Sequence, residues 1–154
     1  MKKINWRSLI ISIVIPVVLG SLVGIITSGS NDFKNLVKPD FAPPAILFPI
    51  VWTILYTLMG ISIYLIKESG SIFKDEGIVI YIVQLIVNYL WSFFFFVFNL
   101  RLLSFFWIVL LIVLVLIMII KFFRVNKIAS YLQVPYLLWL IYAAVLTLSI
   151  YFLN

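Results

Sequence analysis

Apolar residues fall along this chain in five long runs, broken by short polar segments. The runs extend from about Ser8 to Thr27, Ala45 to Ile66, Gly77 to Phe98, Leu102 to Ile120, and Ile128 or Val134 to Leu153. Between them lie SGSNDFKNLVKPDFAPP, KESGSIFKDE, NLR and KFFRVNK. Each run is close to the ~20 residues that a helix needs to cross the hydrocarbon core, and far too long for a strand. Backbone groups in lipid must bond within their own segment, so the pattern predicts an all-α membrane protein. The expected fold is a five-transmembrane-helix bundle forming one domain over residues 1–154, with a long loop (Ser28 to Pro44, about 17 residues) between the first two helices.

Neutral polar and aromatic positions repeat within three of these runs. In the third, Gln84, Asn88, Trp91 and Ser92 stand at i, i+4, i+7 and i+8, one helical face. Phe48, Trp52, Tyr56 and Gly60 recur every fourth residue in the second run, as do Pro135, Trp139, Ala143 and Thr147 in the fifth. An amide in hydrocarbon turns toward a neighbouring helix or a cavity, so these faces point inward. They either make ordinary helix contacts or line a pocket. Trp139 lies well inside its run, away from the interfacial belt that tryptophan favours; Trp52 is near enough to an end for either role. Trp6 and Trp107 read as interface anchors. Gly20 and Gly24 form a GxxxG spacing able to join two helices of one chain or two chains. The stretch WIVLLIVLVLIMII of the fourth run has no polar residue, and faces lipid or fills one wall.

Prolines crowd the approach to the second helix. Pro39, Pro43 and Pro44 keep the loop end extended, while Pro49 and Pro135 are expected to kink the second and fifth helices by withholding a donor from Ala45 and Tyr131. Two kinked helices facing each other leave room. The spacing predicts a pocket near the outer leaflet, walled by Trp52 and Trp139 and capped by the first loop.

Composition narrows the chemistry. The chain is 66% hydrophobic and 10% charged, with net charge +6. Eight basic residues (Lys2, Lys3, Arg7, Lys67, Lys74, Lys121, Arg124, Lys127) fall on one side of the five spans and three (Lys34, Lys38, Arg101) on the other. That asymmetry predicts a cytoplasmic N-terminus in a multi-pass protein of the cell membrane, and explains the positive charge without nucleic acid. The basic start and first apolar run are read as a helix, since about 20 residues exceed the ~7–15 of a secretory signal. Cysteine and histidine are absent, which removes thiolate nucleophiles and imidazole ligands. All five acids, Asp32, Asp40, Glu68, Asp75 and Glu76, lie between spans, so no intramembrane charge is available to couple an ion. No metal site or cofactor is expected.

Three segments, FAPPAILFPIVWTILYTLMG, QLIVNYLWSFFFF and VPYLLWLIYA, resemble in order three motifs of the translocator protein family, also called tryptophan-rich sensory proteins (TspO) or peripheral-type benzodiazepine receptors. The likeness covers essentially the whole chain and is that of a bacterial member. It implies a five-helix bundle, commonly a homodimer in the membrane lipid, that binds flat or bulky apolar ligands: porphyrins such as protoporphyrin IX, benzodiazepine and isoquinoline compounds, and sterols. By motif, Trp52 and Trp139 correspond to two tryptophans implicated in light-dependent porphyrin breakdown. Asn88, Trp91 and Ala143 match pocket positions. With Pro43, Pro44, Leu47, Phe48, Tyr56, Gln84 and Ser92 they make up the expected ligand-binding set. Some positions depart from the family pattern. Ile46 stands where a tryptophan is frequent, Pro49-Ile50 replaces a Gly-Pro pair, and Thr147 replaces an asparagine. Tyr151 is followed by Phe152, Leu153 and Asn154 rather than by the basic residue of the animal sterol motif.

A metal-free tetrapyrrole can be held by stacking on indoles and by desolvation, with Tyr56, Asn88 and Ser92 available to its polar atoms. Any oxidation would be driven by light and oxygen and be slow, since no general acid or base is present. The alternatives are a non-catalytic tetrapyrrole or lipid sensor and a small-solute transporter. The latter is disfavoured by the odd number of spans and the lack of a coupling charge.

Overall fold

A computed structural model describes residues 3–29 and 32–154; Lys2 of the basic cluster and residues 30 and 31 of the first loop lie outside the described residues. Its elements in chain order are α1 (Trp6–Ser28), α2 (Asp32–Asn35), α3 (Leu47–Lys67) and α4 (Lys74–Ser92). A π-helical turn (Phe93–Val97), α5 (Arg101–Val125), α6 (Lys127–Tyr131) and α7 (Val134–Leu153) follow. Five helical stretches are long and apolar enough to cross a membrane, as expected: α1, α3, α4 with its π turn, α5, and α6 with α7. Two ends can be distinguished, a loop end carrying α2 and a basic end carrying Lys67, Lys121 and Arg124.

Helix α1 lies against α3 and α4; α4 packs on α5, and α5 on α7 and α6. The apolar fourth span therefore fills a wall. One stripe of α5 (Ile108, Leu111, Val115, Met118, Phe122) is buried in the core while Phe106, Val113 and Ile120 face outward. Two reciprocal indole bonds hold α4 to α5. Trp91 Nε1 donates to the Ser104 carbonyl at 3.1 Å, and Trp107 Nε1 donates to the Val87 carbonyl at 2.8 Å. Trp107 is thus a helix–helix fastener rather than the interface anchor its position suggested. Trp6 is exposed.

The expected kinks at Pro49 and Pro135 do not occur. Pro49 lies in the first turn of α3 and Pro135 in the first turn of α7. The first four amides of a helix have no intrahelical acceptor, so a proline there removes nothing. The Ala45 carbonyl instead accepts from Phe48 N–H at 3.3 Å, and the fifth span divides at Leu132–Gln133 into two helices rather than bending. The proline inside a helix is Pro16 of α1.

The GxxxG pair separates. Gly20 receives the Tyr56 ring of the same chain, 2.2 Å from where a Cβ would stand, whereas Gly24 has nothing within 4 Å. The closest backbone approach lies elsewhere, at Gly60, where a Cβ would come 2.4 Å from Ile13 Cα and 2.6 Å from the Ser12 carbonyl oxygen. Backbone atoms cannot rotate aside as a side chain can, so α1 and α3 must separate to admit a methyl group. Gly60→Ala should destabilise the bundle by about 1–3 kcal/mol and lower its melting temperature in detergent, followed by circular dichroism. Gly24→Ala should leave the melt unchanged.

Candidate functional site

Three helices meet around the faces singled out in the sequence. The backbones of α3 and α7 hardly approach one another, and large side chains fill the seam between them. From α3, Trp52 stacks on Tyr56 (ring centroids 5.3 Å apart, planes at 27°) and turns its edge to Tyr136 of α7 at 6.2 Å. Phe48, one turn earlier, meets Trp139 of α7 edge-on at 6.0 Å, and Trp139 leans on Tyr142 at 5.4 Å. Both tryptophans are half-buried and border the same seam, Trp52 against Tyr136 and Trp139 against Phe48.

The seam opens sideways as an apolar groove of about 410 Å³ between Val51, Ile54 and Leu55 of α3 and Pro135, Leu138, Trp139 and Tyr142 of α7. Trp139 is part of its wall. Trp52 is not, and packs half-buried against the core. This lateral cleft differs from the expected capped hollow between kinked helices, because unkinked helices close up inside and leave their spare volume at the surface.

Polar groups form a continuous chain deeper in the bundle. Tyr56 Oη donates to Asn88 Oδ1 at 2.8 Å, Asn88 Nδ2 donates to Tyr136 Oη at 2.8 Å, and Tyr136 Oη donates to Gln84 Oε1 at 2.9 Å. All four residues are buried. The i, i+4 spacing of Gln84 and Asn88 sets both amides on one face of α4, where one phenol from α3 and one from α7 can reach them. Tyr136 is the central member, and the sequence reading passed over it. Its place one turn before Trp139, on the same helical face, was the available signal.

The first loop folds over the loop end. Phe33 of α2 meets Phe48 at 6.3 Å, Phe95 at 6.1 Å and Phe96 at 5.4 Å, all edge-on. The π turn places Phe95 beneath it, stacked on Trp91 at 5.1 Å. Two hydrogen-bonded anchors hold the loop. The Asn154 side chain accepts from Val37 N–H at 3.0 Å and donates to the Val37 carbonyl at 2.9 Å, and Tyr142 Oη donates to the Phe41 carbonyl at 2.9 Å. Neither Phe33 nor Asn154 carried a sequence signal, because Phe95 and Phe96 lie more than 60 residues from Phe33 and Val37 lies 117 residues from Asn154.

Of the remaining expected site residues, Ala143 is buried on α7, and Ser92 is half-buried where α4 passes into the π turn. Pro43 is half-buried, while Pro44 and Leu47 are exposed at the loop end. Phe48, Trp52, Tyr56 and Gly60 do not share one face. Each step of four residues advances about 40° around a helix, so Phe48 faces α7 and the loop, whereas Gly60 faces α1.

Asn88→Leu should orphan the Tyr56 phenol and cut one bond to Tyr136, costing about 1–3 kcal/mol. A thermal melt without ligand checks this, and a wild-type melting temperature would contradict the chain's role in holding α3, α4 and α7 together.

Known proteins share this arrangement of sequence. The model of the TspO/MBR family matches residues 12–153. The chain is 40% identical to a tryptophan-rich protein TspO of Chlorobaculum tepidum over 126 residues, covering 79% of this chain and 78% of that one. It is 33% identical to the tryptophan-rich protein TspO of Archaeoglobus fulgidus over 152 residues, 97% and 99% of the two chains. Similarity extends to the translocator protein of Sus scrofa, 30% identical over 131 residues, 82% of this chain and 77% of that one.

Proposed function

This chain belongs to the TspO/MBR family, and from that premise and the aromatic seam we propose that it is a multi-pass membrane receptor for flat apolar molecules, with protoporphyrin IX as the representative ligand. One observation carries the reading: Trp139 stands in the wall of an apolar groove of about 410 Å³, with Phe48 against its edge and the first loop tied down beside it. A tetrapyrrole is a wide aromatic plate whose burial against an indole is favourable and needs no metal ligand. Benzodiazepine- and isoquinoline-type compounds offer the same kind of surface.

In this reading the ligand enters from the lipid between α3 and α7 and lies against Trp139. Further insertion parts Phe48 from Trp139 and brings the plate to Trp52. The polar chain behind, Tyr56–Asn88–Tyr136–Gln84, then supplies hydrogen-bonding atoms to pyrrole or carboxylate groups. Leu47, Pro43 and Pro44 border the loop end of the path, and Trp91, Ser92 and Ala143 form its inner side. The basic end faces the cytoplasm, and the protein works as a homodimer. Light- and oxygen-dependent breakdown of the bound porphyrin is a second reading, favoured by the position of both indoles beside one seam. Trp52 and Trp139 would act as electron donors or radical traps.

Titration of the purified protein with protoporphyrin IX in the dark, read by tryptophan fluorescence quenching, tests the receptor. Trp139→Ala should weaken binding about tenfold, roughly 1.4 kcal/mol, while Trp6→Phe should not. Equal affinity of Trp139→Ala and wild type would overturn this site. Under illumination, the Trp52→Phe, Trp139→Phe double variant should retain binding and lose product formation. A pure receptor would yield no protein-dependent product in any form.

A further inference from the structure

A second groove lies at the opposite, basic end of the molecule. Its volume is about 290 Å³, and it runs between the last turns of α5 and the α6–α7 corner, lined by Ile119, Ile120, Phe123, Tyr131 and Val134, with Arg124 and Ser130 also in its wall. The chain creates it by breaking the helix. Asn126 adopts an extended backbone (φ −154°, ψ 115°), and its side chain caps Ala129 N–H at 3.1 Å. Ser130 Oγ then donates to the Ile119 carbonyl at 2.8 Å, pinning α6 against α5. The floor is apolar and faces the surrounding lipid.

Its rim is cationic. Lys121 is neutralised by an ion pair with Glu76. Arg124 lines the groove itself, and Lys127 Nζ stands 5.5 Å from the centroid of the Phe123 ring that forms part of the wall. Among the described residues neither cation forms an ion pair, although the Arg124 charge is near enough to Glu76 to help Lys121 hold its carboxyl below the usual range. An apolar trough edged by two exposed cations, neither in an ion pair, complements a molecule with a hydrocarbon tail and an anionic head.

We propose that this groove seats one anionic phospholipid, with the upper part of an acyl chain against Ile119, Ile120, Phe123 and Val134 and the phosphate group held by Arg124 and Lys127. The trough lies toward the other end of the bundle from the Phe33 loop and shares no lining residue with the seam groove, which it approaches only where Val134 adjoins Pro135. Charge supplies selectivity over zwitterionic lipid, since each Lys or Arg near an anionic surface contributes about 1 kcal/mol.

Protein stripped of lipid in neutral detergent, given phosphatidylglycerol or phosphatidylcholine of matched chains, tests the site by native mass spectrometry of bound lipid. Wild type should retain one phosphatidylglycerol at least about tenfold more tightly than phosphatidylcholine. Arg124→Gln and Lys127→Gln should each reduce that preference about fivefold, the change that 1 kcal/mol represents. Val134→Trp should fill the trough and weaken both lipids. Lys3→Gln, which removes a cation before α1, should leave the preference intact. An unchanged preference in Arg124→Gln would overturn the proposal, and so would an equal loss in Lys3→Gln, which would mark diffuse surface charge. The charge variants lie on the surface and decide the question even if Val134→Trp does not fold.

Discussion

Hydrocarbon offers no partner to a polar group, so an amide inside a bilayer must find one within the protein or cost several kcal/mol. This chain carries two amides on one face of α4, Gln84 and Asn88; the phenols of Tyr56 and Tyr136 bond both ends of the Asn88 amide and the Gln84 oxygen, while Gln84 Nε2 is buried without a partner. Those phenols belong to α3 and α7, whose backbones otherwise hardly meet. The hydrogen-bonded chain therefore sets how far apart the two helices stand and which faces they turn to each other. Apolar packing alone would not specify this, because one leucine contact in lipid is much like another.

The aromatic seam follows from that spacing. With α3 and α7 held apart by residues as long as tyrosine, the gap between them suits indoles and phenyl rings, and Trp52, Tyr136, Phe48 and Trp139 fill it edge to face. Edge contacts of this kind are worth about 0.5–1.5 kcal/mol each beyond the area they bury, which another ring can replace with little net cost. The first loop sits over the end of the seam through Phe33 and is tied by Tyr142 of α7, the helix that carries Trp139, and by Asn154, which caps that helix. Displacement of Trp139 would be felt by the loop through α7.

The two ends of the bundle differ in kind. At the loop end, aromatic rings meet one another beneath a hydrogen-bonded cover. At the basic end, α5 breaks at Asn126 and leaves a narrower trough with cations at its edge. The same device, a short interruption in a long apolar helix, appears as a π turn at Phe93–Val97 and as the corner before α7. In both places it redirects side chains that a regular helix would point elsewhere.

The five spans, their helical nature and the inward face of Gln84 and Asn88 were legible from the sequence, because the bilayer imposes a length and penalises an amide that faces lipid. Those are local constraints, readable one residue at a time. The pairing of Asn88 with both Tyr56 and Tyr136, the loss of the supposed kinks at Pro49 and Pro135, and the parting of Gly20 from Gly24 were not. A proline kinks a helix only if the helix begins far enough before it, and a small residue packs only against what happens to cross there. The position of Trp107 in its span suits a belt residue, yet its indole bonds the Val87 carbonyl of a neighbouring helix. Chemistry and span are properties of a segment, whereas register, crossing point and cavity shape belong to pairs of segments far apart in sequence, and only the tertiary structure brings those pairs together.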